Sequence, residues 1–206
     1  MTGIQGLEQG RRPALLISEM QNGIANGAYT QSPLVEQVVS RGIVAKINAF
    51  AEGFRTAGYP VIHCIVSMRP GAVGWNRNCV LAARIEKGAY LTQGTPSAAI
   101  HDDVPVAAGD IVSERHHGMT AFTGTDLDAT LRGLGVDTIV FAGVSTNVAL
   151  MGGSCEAVGY GYQVVLAEDC TAGGTAETHH VQVTMHLPLI ATISDSSSVL
   201  AALAAR

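Results

Sequence analysis

Six short apolar segments that alternate with helix-like segments constrain the fold of this chain more than any other feature. The predicted strands span residues 13–18, 61–67, 110–113, 138–144, 163–169 and 189–194. Between strands, apolar residues recur with helical spacing, as at Ile43, Ile47 and Phe50. This alternation predicts an α/β fold with three layers (α/β/α) and a six-stranded, mostly parallel, Rossmann-like sheet.

Composition is even along the whole chain, with no linker, internal repeat or low-complexity tract. We therefore predict a single domain over residues 1–206. Residues 68–109 contain several glycines and prolines and show no sustained period. We expect this part to form short helices and irregular loops that cover the site.

Charge and hydropathy argue against two classes of partner. The chain has 12 Lys and Arg against 17 Asp and Glu, a formal net charge of −5, so a basic surface for nucleic acid is not expected. Its apolar runs are interrupted by Gly, Ser or a charged residue before they reach about 18 residues, the length of a membrane-spanning helix. We expect a small-molecule substrate and neither a nucleic acid nor a membrane as partner.

The first residues and the cysteines bear on localisation. The N-terminal segment has no apolar core followed by a small-residue cleavage site, so we predict no signal peptide. The four cysteines are dispersed, without a Cys-x-x-Cys pair. We expect free thiols in a cytoplasmic protein.

Parallel sheets bind ligands outside the carboxyl ends of their strands, which selects candidate residues directly. These are Glu19, Ser67, Arg69, Arg115, His116, His117, residues 144–149 and Asp169. By contrast, we expect His63 in the core of a strand and His179 and His180 at the solvated edge of a helix. No His-x-x-x-His, Asp-x-His or Gly-x-Gly-x-x-Gly pattern occurs, so we predict neither a metal site nor a nucleotide cofactor.

Glu19 follows an apolar strand, and a half-buried carboxylate is costly unless it is paired or protonated. It is therefore either an acid/base group or a structural acid that caps a loop amide or pairs with Arg69 or Arg115. His116 and His117 are adjacent in an extended segment, so at most one of them is expected to face the site.

Residues 143–149 form a predicted strand-to-helix turn. Backbone N–H groups at the start of a helix favour anions and developing oxyanions. The alternative is an ordinary capped helix start that binds no substrate.

Three stretches together resemble the isochorismatase-like, or cysteine hydrolase, superfamily. Residues 14–22 (ALLISEMQN) are similar to its first-strand motif, which ends Asp-x-Gln-Asn. Residues 120–127 (TAFTGTDL) resemble Ser-Ala-Phe-x-Gly-Thr-x-Leu, and residues 143–149 (GVSTNVA) resemble Gly-Val-x-Thr-x-x-Cys. Residues 161–169 also fit, and the spacing of these blocks matches along nearly the whole chain.

The resemblance implies a hydrolase with an Asp–Lys–Cys triad and a cis peptide in the Gly-Val-x-Thr turn. This chain has Glu19 at the Asp position, His116 or Arg115 at the Lys position and Ala149 at the Cys position. Cys155 lies six residues further along the helix and faces elsewhere. The resemblance is therefore to a branch that lacks the nucleophilic Cys, like the true isochorismatases, which have Gly there and hydrolyse a vinyl ether by protonation and addition of water.

Our first hypothesis is a cofactor-free hydrolase of a small polar metabolite. Its catalytic residues would be Glu19 with His116 or Arg115, and Arg69 would hold a substrate carboxylate. The predicted substrate-binding residues are Arg69, His117, Val144, Ser145, Thr146, Asn147 and Ala149. The alternatives are an inactive ligand-binding or scaffold member of the family and an amidase that uses Ser145 or Thr146 as its nucleophile. The family also implies a homodimer or homotetramer.

Overall fold

The computed structural model describes residues 3–205 and contains one six-stranded sheet. Its strands are β1 (Pro13–Ser18), β2 (Val61–Val66), β3 (Ile111–Arg115), β4 (Thr138–Val144), β5 (Gln163–Ala172) and β6 (Thr192–Ser194). Their spatial order is β3-β2-β1-β4-β5-β6, and every neighbouring pair is parallel. The predicted α/β fold with a six-stranded Rossmann-like sheet is confirmed.

In the described part of the chain, eight α-helices connect or flank the strands. They are α1 (Asn22–Ala25), α2 (Pro33–Ser40), α3 (Ile43–Thr56), α4 (Val80–Gly88), α5 (Leu127–Gly133), α6 (Met151–Gly159), α7 (Ala176–Val181) and α8 (Ser196–Ala204). Gly42 separates α2 from α3, because its φ of 63° is left-handed and ends the regular helix. Across residues 3–205, no helix is long and apolar enough to cross a bilayer.

Alternate residues of each central strand face two separate hydrophobic cores. Leu15 and Ile17 of β1 belong to the core that α3 and α8 cover. Ala14 and Leu16 of the same strand belong to the core that α5 and α6 cover. Side chains of a strand point alternately to opposite faces, so a strand that is apolar throughout requires helices on both sides of the sheet.

Two strands extend further at their carboxyl ends than the sequence predicted. β3 continues to Arg115 because that residue pairs with Val66 of β2. β5 continues to Ala172 because its pairing with β4 shifts register and then resumes between Val144 and Ala172. β6 is shorter than predicted, since residues 187–189, which include Pro188, form a 3₁₀ turn.

Two amide side chains just after β1 attach residues 68–104 to the sheet. Gln21, which is fully buried, accepts a hydrogen bond from Val66 N at 2.8 Å and donates to the carbonyls of Val66 and Ala98. Asn22 donates to Pro96 O at 2.9 Å. These bonds hold the segment that carries α4 over the carboxyl end of β1.

Candidate functional site

The register of the sheet brings three of the predicted site elements together. Ser18, the last residue of β1, lies beside Cys64 of β2 and Gly143 of β4. Glu19 is therefore adjacent to the turn that follows β4. Gly143 permits this approach, because its φ is 97° and a Cβ there would collide with the backbone of Ser18.

A cavity of about 350 Å³ opens at this edge of the sheet. Of the predicted site residues, Glu19, Arg115, Ser145 and Asn147 line it. Much of the remaining wall is apolar and comes from Ile24, Leu34, Val66, Leu81, Ile85, Tyr90, Leu91, Met119 and Val148. The site is therefore a largely apolar pocket whose polar groups lie at the ends of β1, β3 and β4 and at Thr30 and Ser32, just before α2.

Glu19 and Arg115 form an ion pair on the cavity wall. Arg115 Nη2 donates to Glu19 Oε1, and Arg115 Nε donates to the carbonyl of Gly118 at 3.4 Å. The side chain of Arg115 is 2% exposed and that of Glu19 is 14% exposed. Pairing of Glu19 with Arg115 was one of the structural alternatives that the sequence left open, and it is present.

The other charged or titratable candidates lie off the cavity wall. His116 turns away from Glu19, and its Nδ1 lies 3.2 Å from Ser67 O and 3.3 Å from Ser67 Oγ. The ring of His117 packs against Gly124, and the exposed Arg69 lies beside Gly74. The sequence left open whether His116 or Arg115 lies beside Glu19. In the structure, Arg115 contacts Glu19.

The turn after β4 supplies the backbone part of the site. The Val144–Ser145 peptide bond is cis, as the family resemblance implied. Residues 146–150 form a π-helical turn in which the amides of Val148 and Leu150 donate to Ser145 O. The amides of Thr146 and Asn147 precede these first helical hydrogen bonds, which is the usual position of N–H groups that bind an anion.

The side chains of this turn have different surroundings. Ser145 and Asn147 line the cavity, and Asn147 Oδ1 accepts from Gly174 N at 2.8 Å, which ties the turn to the end of β5. Thr146 is fully buried, and Ala149 is 4% exposed. Val148 lines the cavity, whereas Val144, Thr146 and Ala149 do not.

Thr146 contacts a partly buried polar cluster that the sequence analysis did not predict. Its Oγ1 lies 3.3 Å from His179 Nδ1, and His179 Nε2 lies 2.8 Å from Glu168 Oε1. Arg41 Nη2 donates to the same Glu168 oxygen at 2.7 Å. The expectation that His179 lies at a solvated edge is wrong, because His179 is 3% exposed. His180, its neighbour, is exposed as expected.

None of the four cysteines lines the cavity. Cys64 and Cys170 are buried, and burial is the main effect that raises the pKa of each thiol to about 12. A thiol with so high a pKa is protonated at neutral pH and is a poor nucleophile. Cys79 and Cys155 are exposed elsewhere. Within residues 3–205, no group of three or more His, Cys, Asp and Glu is arranged to hold a metal ion.

Tyr90 and Met119 were not predicted as site residues, yet both line the cavity. Burial and the charge of Glu19 raise the pKa of the Tyr90 hydroxyl, so this side chain remains neutral beside the ion pair. Tyr90 reaches the site through the tertiary contacts of the covering segment, for which the local sequence contains no signal.

The sequence matches known proteins over nearly its whole length. The Isochorismatase domain family matches residues 13–198. The isochorismatase family protein YecD of Escherichia coli O157:H7 is 31% identical over 201 residues, which cover 92% of this chain and 95% of YecD. Maleamate amidohydrolase of Pseudomonas putida is 28% identical over 175 residues, covering 84% of this chain and 78% of the enzyme.

The fold also agrees with solved structures. An isochorismatase family protein from Desulfovibrio vulgaris superposes with a TM-score of 0.81 over 96% of this chain and 100% of its own. Its sequence identity is 24%, so the superposition supports only a shared fold. The family match and the relatives over most of their length lead to one conclusion: the chain belongs to the isochorismatase family of hydrolases.

Proposed function

We propose that this protein hydrolyses a small amide by activating water directly, without a covalent enzyme intermediate and without a cofactor. One observation carries the proposal. Among the described residues that line the cavity, Glu19 has the only carboxyl group, and no cysteine or histidine is present there. Glu19 is therefore the acid/base group available to a substrate in this cavity.

In this mechanism the Glu19 carboxylate removes a proton from a water molecule as that water attacks the amide carbon. The carbonyl oxygen becomes an oxyanion, which the amides of the Val144–Asn147 turn stabilise. Glu19 then gives its proton to the departing nitrogen, the C–N bond breaks, and a carboxylic acid and an amine or ammonia are formed. Water is the nucleophile in place of the family's cysteine sulfur, and it supplies the hydroxyl group of the acid product.

Arg115 positions Glu19 in this scheme. Its guanidinium remains charged at all relevant pH values, so it orients the carboxylate but transfers no proton. Ala149 supports direct attack by water, because alanine at the family's cysteine position has no nucleophilic atom. The amidohydrolase relative from Pseudomonas putida supports an amide as the bond that is cleaved.

The same ion pair favours a second candidate, a ligand-binding member of the family with no turnover. A carboxylate held by Arg115 could serve to shape a binding pocket alone. An amidase that uses Thr146 has less support, because the Thr146 hydroxyl is buried against His179. Ser145 lines the cavity, but no histidine among the described lining residues is available to activate it.

Replacing Glu19 by Gln tests the proposal, with Glu36→Gln at an exposed position of α2 as the matched control. Ammonia release is measured over a panel of primary amides. We expect Glu19→Gln to lower kcat by about 100-fold or more, the usual contribution of a general acid/base group, with Glu36→Gln unchanged.

Three results would contradict this proposal. Full activity of Glu19→Gln would remove Glu19 from the chemistry. A covalent adduct on Ser145 or Thr146, seen by intact-mass spectrometry during turnover, would support the amidase with a hydroxyl nucleophile. Binding of an amide by the unaltered protein with no turnover would support the ligand-binding member.

A further inference from the structure

We infer that the cavity accepts an uncharged substrate whose bulk is apolar, and that it discriminates against substrates that carry a carboxylate. This inference rests on the proposed function for the position of the scissile amide. It concerns the remainder of the substrate, which the wall of the cavity must accommodate.

The charges of the cavity wall cancel. Glu19 and Arg115 are the charged side chains among the described lining residues, and they pair with each other. Arg69, which the sequence suggested as the partner of a substrate carboxylate, lies outside the wall. A carboxylate that entered this space would lose its water without gaining a free cation, and burial of an unpaired charge is strongly unfavourable.

The apolar part of the wall comes from several separated regions of the chain. Leu81 and Ile85 come from α4, Leu34 comes from α2, and Met119 follows β3. They line the same cavity as Glu19, Arg115 and Ser145, and the hydroxyl-bearing Thr30 and Ser32 are uncharged. A bound amide would place its carbonyl beside Glu19, Arg115 and Ser145 and its hydrocarbon portion against the apolar side chains.

The size of the cavity limits the substrate further. At about 350 Å³ it lies near the lower end of the range for small-molecule sites, which is about 300–1,000 Å³. The expected substrate class is therefore a small neutral amide with an aliphatic or aromatic acyl group.

Two matched pairs of amides test the inference. Hexanamide and adipamate differ at the end remote from the amide, which is a methyl group in one and a carboxylate in the other. 4-Methylbenzamide and terephthalamate form the same comparison on a ring. Dissociation constants are measured with the unaltered protein by ligand-observed NMR, and ammonia release is followed in parallel.

We expect the neutral member of each pair to bind at least tenfold more tightly. Equal or tighter binding of the carboxylate-bearing member, or no binding of either neutral amide, would overturn the inference. If a neutral amide binds preferentially but is not hydrolysed, the inferred preference for neutral ligands is supported and the proposed hydrolysis is contradicted.

Met119→Lys provides a second test, because it adds a cation to the wall. This variant is expected to reduce or reverse the preference in both pairs, through tighter binding of the carboxylate-bearing member. Met185→Lys is the matched control, since Met185 is 64% exposed and lies outside the cavity wall. A preference that Met119→Lys leaves unchanged, in a variant that unfolds like the unaltered protein, would contradict the role assigned to the wall.

Discussion

Two clusters of the same composition lie on opposite halves of the sheet. Arg55, Asp110 and His63 form one at β2 and the start of β3, where Asp110 accepts from Arg55 at 2.7 Å and lies 3.0 Å from His63 Nε2. Arg41, Glu168 and His179 form the other beside β5. Each consists of an arginine, a carboxylate and the Nε2 atom of a histidine.

The two clusters differ in what lies beyond the histidine. His63 Nδ1 is buried and has no hydrogen-bond partner among residues 3–205, so the first cluster ends there. His179 Nδ1 lies against Thr146, at the turn that borders the cavity. The first carboxylate is 2% exposed and the second is 34% exposed. The comparison indicates that the first cluster stabilises the fold. The second cluster is more exposed, but it contacts the turn that borders the site.

The pKa values of both clusters are shifted in the same directions. Burial lowers the pKa of His63 and of His179, although each has a carboxylate partner that opposes the shift. Burial opposes ionisation of Asp110 and of Glu168, but hydrogen bonds from arginine and histidine outweigh it and lower both pKa values. Both clusters are therefore most stable with neutral histidines and ionised carboxylates.

The largest effect is expected at Asp110, which anchors the first cluster. Asp110→Asn removes the buried carboxylate that Arg55 contacts at 2.7 Å and leaves this arginine with the exposed Glu52 at 3.4 Å. Loss of one member of a buried pair costs about 3 kcal/mol. Urea unfolding measures this loss, and kcat per folded molecule should not change because the cluster does not line the cavity. Asp126→Asn is the matched control, since Asp126 is exposed and its side chain makes no capping bond. A fall in kcat with no loss of stability would contradict the purely stabilising role assigned to the first cluster.

A smaller effect on stability and a larger effect on rate are expected at His179. His179→Gln can keep the Glu168 contact but loses the contact with Thr146, so the turn is held less firmly. We expect kcat to fall about tenfold, equivalent to about 1.4 kcal/mol, with little change in KM. His179→Asn, whose amide lies near the position of Nδ1, should recover part of the rate.

His180→Gln is the control for this comparison, because His180 is the exposed neighbour of His179. If His179→Gln and His180→Gln have the same kcat, the cluster does not support the turn. A rise in KM with unchanged kcat would indicate a role in binding rather than in positioning the turn.

The smallest effect concerns the dependence of stability on pH. Unfolding raises the pKa of each buried histidine towards its ordinary value of about 6.5, so the unfolded chain binds more protons in mild acid. The free energy of unfolding should have its full value above about pH 6.5. It should decrease as the pH is lowered through the folded pKa values, by at most about 1.4 kcal/mol per pH unit for each proton taken up.

Denaturant unfolding of His63→Gln and His179→Gln across this pH range separates the two contributions. Each variant should show a smaller slope than the unaltered protein. An unchanged slope in either variant would show that its histidine does not bind an additional proton on unfolding.

Much of the fold follows from local sequence, and the bounds of β1 and β4 were predicted to the residue. Both strands are apolar throughout and end at a change of chemistry, Glu19 after β1 and Ser145 after β4. The end of β5 was not predictable, because it depends on a register shift against β4 that no local pattern encodes.

The residues of the candidate site were also only partly predictable, because some of their contacts form between distant parts of the chain. The position of Glu19 and Ser145 on the cavity wall was predictable because both follow strands. The choice between Arg115 and His116 depends on the pairing of Arg115 with Val66. His179 was missed because its burial depends on Glu168 and Thr146, which approach it only in the folded chain.

The ion pair between Glu19 and Arg115 also bears on the rate at which substrate arrives. Opposite charges in contact produce a field that decays quickly with distance, so the mouth of the cavity exerts little attraction on a distant ion. Capture of a neutral molecule is then governed by diffusion and by the fit of the pocket. At low substrate concentration, turnover should accordingly vary little with ionic strength, in contrast to enzymes that guide charged substrates by long-range steering.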